Sequence, residues 1–235
     1  MELTKDINNN EIAEIIITAS GGPFFNLPYN KFKKIKPMEA IKHPKWKMGK
    51  KISIDSANMM NKVFEVIEAT KLFKFDKSKY KIMIHPESYV HSIIRFKNGL
   101  TKMILYKTDM KIPIFNILYD KNERSLPFVD KIDFKKINKL NFKTVDIKRF
   151  PSVKLINKIF MSGNSSSIIL NATNEVLINL FLQEKIRFLD IVRTINRIFK
   201  GKDFKKYARR KVRTINDIKI VDNWARLKTM NMCVR

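Results

Sequence analysis

The sequence has 235 residues, 44% of them hydrophobic, enough to bury a sizeable core as one large or two small domains, which excludes a disordered tail. Its 48 Lys and Arg against 22 Asp and Glu leave a net charge of +26, so nucleic acid and anionic membranes come into consideration as partners. The single cysteine, Cys233, excludes an intrachain disulfide framework and any zinc-finger spacing, and a reducing cytoplasm is the expected setting. The lysines run along the whole chain and accompany abundant Ile and Asn, which reads as compositional drift in preference to a dedicated nucleic-acid patch. No long apolar run is present, and MELTKDINNNEIAEI lacks the apolar core of a signal peptide, so no membrane association is expected.

In chain order, EIIIT (14–18) is a short β-branched run closed by Ala19-Ser20-Gly21-Gly22-Pro23, which predicts a buried strand feeding a tight loop. Pro37 to Lys51 keeps neither helical nor strand period and is expected to be a loop. A helix is predicted to begin near Ala57. KYKIMIHP (79–86) reads as a strand, and HSIIRF (91–96), Asn98-Gly99 and TKMILY (101–106) read as a hairpin. Residues 1–119 therefore form a mixed α/β unit. Residues 120–150, rich in Lys, Asp and Asn, are expected to connect it over the surface to a small C-terminal helical bundle at 151–235. Within that bundle, helices are predicted over 166–183 and over 187–201 with Gly201 as C-cap, and a last one starts from an N-cap at Thr214. The fold class is α+β.

Four constellations could carry chemistry. Ser20-Gly21-Gly22 is either an anion cradle of backbone N–H groups and a hydroxyl or an ordinary turn after a strand. The cationic stretch from His43 to Lys50, with Trp46, could close over an anionic substrate or be a solvated loop whose indole packs on its own domain. In SIDSANMMNKVFE (53–65), a helix from Ala57 would line up Asn58, Asn61, Lys62 and Glu65 on one face, with Met59, Met60, Val63, Phe64 and Ile67 opposite. With Ser56, those polar groups suit phosphate oxygens and, at Glu65, a hard divalent cation; the competing reading is a satisfied polar network in an interface. His85 and His91 flank Pro86-Glu87-Ser88 and are read as hydrogen-bonded structural residues ahead of metal ligands.

TASGGPF (18–24), KHPKWKMGKKISIDSANMMNKVFEVIEA (42–69), IHPESYVHSIIRFKNG (84–99) and LNATNEV (170–176), in this order, closely resemble the 1-deoxy-D-xylulose 5-phosphate reductoisomerase family of the non-mevalonate isoprenoid pathway. The resemblance implies conversion of 1-deoxy-D-xylulose 5-phosphate to 2-C-methyl-D-erythritol 4-phosphate with NADPH and Mg²⁺ or Mn²⁺, in a homodimer with a mainly β-sheet catalytic core. By position it implies that Ser20, His43, Ser56, Asn61 and Lys62 bind substrate, that Glu65 is a metal ligand, and that Glu65, Lys62 and His43 form the catalytic set. It places Trp46 and Met48 in a lid, Gly49 and Met110 near the cofactor, and Ser88 near the substrate.

Two family features have no counterpart in MELTKDINNNEIA: an NADPH-binding domain with a glycine-rich phosphate loop, and an Asp-Ser-Glu segment whose carboxylates complete the metal site. Glu65 alone is therefore expected to hold Mg²⁺ or Mn²⁺ poorly. The chain is expected to work with a separate N-terminal NADPH-binding chain; the alternatives are an inactive folded remnant and, resting on charge alone, a nucleic-acid binder.

Overall fold

The computed structural model describes residues 11–44, 48–73, 75–119 and 132–233. Contacts gather the chain into two compact units, one comprising Met1–Gly21 and Phe73–Val145 and the other Gly22–Leu72 and Asp146–Arg235. Neither unit is a contiguous stretch, whereas the sequence reading divides the chain at 119 and 150. Order along a chain does not say which apolar faces bury each other.

The first unit is a five-stranded mixed sheet of β1 (Ile12–Ala19), β2 (Tyr80–Ile84), β3 (Val90–Phe96), β4 (Thr101–Leu105) and β5 (Lys143–Thr144), in the order β4-β3-β1-β2-β5. The β-branched run expected to be a buried strand is the central β1, parallel to β2 and antiparallel to β3. On one side Ile16, Val90 and Ile93 pack with Met83, Leu105 and Phe142. The β3–β4 hairpin is present. Its turn holds Gly99 at φ +91°, and the Asn98 side chain accepts from the Leu100 N–H at 3.1 Å.

Two parts of this unit differ from the sequence reading. A short helix α4 (Lys111–Leu118) follows β4, its pattern obscured by Pro113 and by apolar residues all around it. The expected connecting segment contributes β5 to the sheet edge, a strand of 2 residues and so too short to show alternation. Asp120 to Lys131 lies outside the described residues. Both histidines are hydrogen-bonded within the sheet unit. The buried His85 accepts at Nε2 from the Tyr89 N–H (3.2 Å), so its Nδ1–H faces the Asn141 carbonyl at 2.9 Å; His91 stacks on Tyr106 with ring centroids 3.6 Å apart.

The second unit is helical: α1 (Pro37–Ala40), α2 (Lys50–Ala57), α3 (Met60–Leu72), α5 (Leu155–Ser162), α6 (Ser166–Leu182), α7 (Phe188–Lys200), α8 (Phe204–Ala208) and α9 (Ile215–Cys233). Its centre is α6, apolar on most sides and therefore buried on most sides. Phe24, Phe32 and Phe181 set ring edges against Phe188 at centroid distances of 6.2 Å or less. The amphipathic α7 buries Ile191, Ile195 and Ile198. The last helix starts as expected, with the Asp217 N–H donating to Thr214 Oγ1 (3.2 Å) and the Thr214 N–H donating to the Asp217 carboxylate (3.1 Å).

The expected loop from Pro37 to Lys51 is partly helical. A capping contact from the Lys36 N–H to Glu39 (2.7 Å) opens the single turn α1, and α2 already begins at Lys50. Among the described residues no helix is long and apolar enough to cross a membrane.

Helices α2 and α6 are joined by a buried carboxylate. Asp55 accepts from Asn174 Nδ2 at 2.7 Å and from Lys51 Nζ at 2.9 Å, and burial still pushes its carboxyl above the ordinary value of 3.8. Because the folded value is raised, the stabilising protonation is fully present below the unfolded value and is lost as pH rises through the folded one. Asp55→Asn removes that dependence. The parent is therefore expected to gain stability relative to the variant on acidification from pH 7 to about 4.5, read as the difference between urea-unfolding free energies at each pH. A difference that shrinks would mean that the fold favours the ionised form.

Candidate active site

The site is assembled on the break between α2 and α3. The sequence predicts one helix from about Ala57; the chain instead leaves α2 at Asn58, places Met59 at φ +64° and resumes at Met60. Asn58 makes the break. Its Oδ1 accepts from the Met60 N–H at 2.9 Å, the type of side-chain capping that starts a new helix, and its carbonyl accepts from the Ser152 hydroxyl. Asn58 is 4% exposed, so the expected polar face loses one member: this residue turns inward to hold α3.

The other three are brought together. Asn61 Nδ2 donates to Glu65 Oε1 at 2.7 Å, and Lys62 Nζ lies 2.8 and 2.7 Å from the two Glu65 oxygens. One turn of α3 thus presents an amide, an ammonium and a carboxylate at i, i+1 and i+4. The face opposite is apolar as expected, with Met60, Val63 and Ile67 buried in the helical core.

His43, half-buried before α2, joins this group electrostatically. Burial first and the Lys62 charge second push its imidazole below the ordinary 6.5, which leaves it neutral at pH 7. A neutral ring beside an ammonium can accept one hydrogen bond and donate another, the pattern that suits a sugar hydroxyl or a phosphate oxygen.

Ser56 lies in the last turn of α2 and is half-buried. Above it runs Gly22, at φ +65°, where an added Cβ would stand 2.8 Å from the Ser56 carbonyl oxygen and 3.1 Å from Ala57 Cα. The need for glycine here is close backbone approach to α2. Arg149 fixes the turn that follows: its guanidinium donates to the carbonyls of Phe24 (3.2 Å), Phe25 (2.8 Å) and Leu27. Sequence reasoning missed Arg149, whose role depends on a partner more than a hundred residues away. It also missed Asp55 with Asn174, for which the i,i+4 spacing from Lys51 and an asparagine inside an apolar helix were available signals.

Gly49 is the exposed N-cap of α2 with open space around it, its carbonyl accepting from the Ser53 N–H at 3.1 Å. Met48 is half-buried, and Trp46 lies outside the described residues. Ser20, Ser88 and Met110 belong to the sheet unit. Ser20 follows β1, Ser88 is buried at φ +60° with its N–H donating to the His85 carbonyl at 3.1 Å, and the exposed Met110 precedes α4.

A divalent cation fits this donor set poorly on its own. Mg²⁺ and Mn²⁺ need several oxygen ligands, and the α3 group offers one carboxylate whose oxygens already face an ammonium and an amide. Among the described residues no three His, Cys, Asp or Glu side chains form a metal-holding group.

Comparison with known proteins gives a consistent set of relatives. The family model described as the 1-deoxy-D-xylulose 5-phosphate reductoisomerase C-terminal domain matches residues 1–73, and that described as the DXP reductoisomerase C-terminal domain matches 105–228. The 1-deoxy-D-xylulose 5-phosphate reductoisomerase of Pelagibacter ubique is 44% identical over 225 residues, which is 96% of this chain and 58% of the relative. That of Acetivibrio thermocellus is 40% identical over 93% of this chain and 56% of its own length. A crystal structure of DOX-P reductoisomerase with NADPH, fosmidomycin and magnesium superposes with a TM-score of 0.90 at 32% identity, over 95% of this chain and 55% of that one. The Zymomonas mobilis enzyme with NADPH gives 0.87 at 33%, over 97% of this chain and 57% of that one. The chain thus spans a little over half the length of the relatives it matches.

The Gly22 packing yields a stability test. Gly22→Ala is expected to lower the unfolding free energy by about 1–2 kcal/mol from the left-handed φ alone, with a further loss from the close contact to the Ser56 carbonyl. An unchanged urea midpoint would show that the turn is free to move away from α2.

Proposed function

The chain belongs to the 1-deoxy-D-xylulose 5-phosphate reductoisomerase family, and from that premise we propose that it supplies the substrate-gripping and C-terminal parts of an enzyme that rearranges and reduces 1-deoxy-D-xylulose 5-phosphate to 2-C-methyl-D-erythritol 4-phosphate with NADPH and Mg²⁺ or Mn²⁺. The observation that carries this reading is the α3 turn: an ammonium and an amide beside a half-buried neutral imidazole. Lys62, Asn61 and Ser56 bind the phosphate, whose oxygens attract charged and amide donors most strongly, and family position alone assigns Ser20 to the substrate. Arrival of phosphate gives Lys62 a second anion in competition with Glu65. The neutral His43 hydrogen-bonds the substrate without adding a further charge.

Glu65 would supply one oxygen ligand to a divalent cation, whose charge would polarise the ketose; the further carboxylates and the NADPH-binding domain would come from outside these 235 residues, on this or a separate polypeptide. By family position Met48 and Trp46 are assigned to excluding water from the bound substrate. By family position Gly49 and Met110 are assigned to the cofactor and Ser88 to the substrate. The working form is a homodimer in the cytoplasm.

The test is reconstitution of the chain with an NADPH-binding domain that ends in Asp-Ser-Glu. Substrate-dependent loss of NADPH absorbance with Mn²⁺ is expected to require both parts, and its absence would favour an inactive remnant. In the reconstituted enzyme, Glu65→Gln is expected to raise the half-saturating Mn²⁺ concentration by roughly tenfold or more, since even outer partners of ligands cost about that much. KM for the phosphorylated ketose should remain nearly unchanged. Equal losses in both would make Glu65 a structural residue.

A further inference from the structure

The even spread of lysine does not hold for one segment. From Lys200 to Arg213, eight of fourteen residues are cationic and one, Asp203, is acidic. This segment contains α8, and with Ile220 of α9 it forms an open surface concavity of about 490 Å³ lined by Lys205, Lys206, Tyr207, Arg209, Arg210 and Ile220. That volume is enough for a small ligand, held here on an open face by charge and not by enclosure. Four cations therefore face one hollow. The carboxylate set against them is Asp217, 3.4 Å from Arg210, and its oxygens also accept from the Arg213 and Thr214 N–H groups at 3.2 and 3.1 Å and from Thr214 Oγ1 at 2.9 Å. Asp203 is paired with Lys228 at 3.2 Å.

Such a hollow repels itself, and a compact anion with several charges offsets the repulsion better than scattered monovalent ions. Two adjacent arginines add the planar forks that engage phosphate oxygens in pairs. Tyr207 stacks on Trp224 at a centroid distance of 4.2 Å, which joins α8 to α9 beneath the cations. That stacking also occupies a face of the aromatic ring lining the hollow, the feature on which a nucleic-acid base would stack. We propose that this concavity is a binding site for a small anion carrying two or more adjacent phosphate groups, distinct from the α3 site.

The test is calorimetric titration of the full chain with tripolyphosphate in about 0.1 M salt, where charges beyond the Debye length are screened. Saturable binding at one site is expected, tighter than for orthophosphate. R209E/R210E and K205E/K206E are each expected to weaken it at least tenfold, whereas K33E/K34E, the same charge change on an exposed segment elsewhere, should change it less than about threefold. If one pocket variant fails to fold, the other decides. The proposal is overturned by no saturable binding, by equal affinity for orthophosphate, or by equal loss in K33E/K34E, which would make the effect one of bulk charge. Tighter binding of a single-stranded oligonucleotide of equal charge, lost in the same pocket variants, would overturn it in favour of nucleic acid.

Discussion

The α3 group depends on a backbone event at residues 58 and 59. Periodicity starts one helix near Ala57, with Asn58, Asn61, Lys62 and Glu65 on a single face. Asn58 interrupts that helix by capping the N–H of Met60, and Met59 takes the left-handed conformation that the interruption needs. A non-glycine residue there is strained by about 1–2 kcal/mol. The strain is offset by burial: Met59 is 1% exposed, and the Ser152 hydroxyl holds the Asn58 carbonyl from another part of the same unit.

Around that break the helical unit is built to keep α2 and α3 from shifting. Asp55 ties α2 to α6 through Asn174, a buried polar contact that tolerates little displacement. Gly22 allows a turn to lie against the end of α2, and Arg149 holds the carbonyls that follow. The polar groups of Asp55, Asn174 and Arg149 are engaged with one another or with backbone carbonyls inside the fold. They fix where Ser56, Asn61, Lys62 and Glu65 stand, and a small misplacement in such a group is costly.

The electrostatics of the two cationic regions differ in a way that matters for function. At α3 the ammonium of Lys62 has a near neighbour of opposite charge in Glu65, and His43 stays neutral, so the group is nearly balanced before any ligand arrives. At α8 four cations line one hollow, and Asp217 pairs with a single one of them, Arg210. A net charge of +26 conceals this contrast, because it sums over both kinds of place.

Much of the protein was legible in the sequence. The central strand, the Asn98-Gly99 hairpin, helices α6, α7 and α9 and the Thr214 cap follow from local periodicity and turn chemistry, which need only neighbouring residues. The i, i+1, i+4 spacing of Asn61, Lys62 and Glu65 was enough to place them together, since one helical turn does so. Asn58 was misplaced because its role is set by a helix break that periodicity does not register. The interleaving of the two units, the two-residue β5 and the grip of Arg149 were decided by tertiary structure alone, and the Asp55–Asn174 tie left only an indirect trace in the sequence. Each joins residues far apart in the chain, and such pairings depend on which surfaces bury one another, a property of the folded whole.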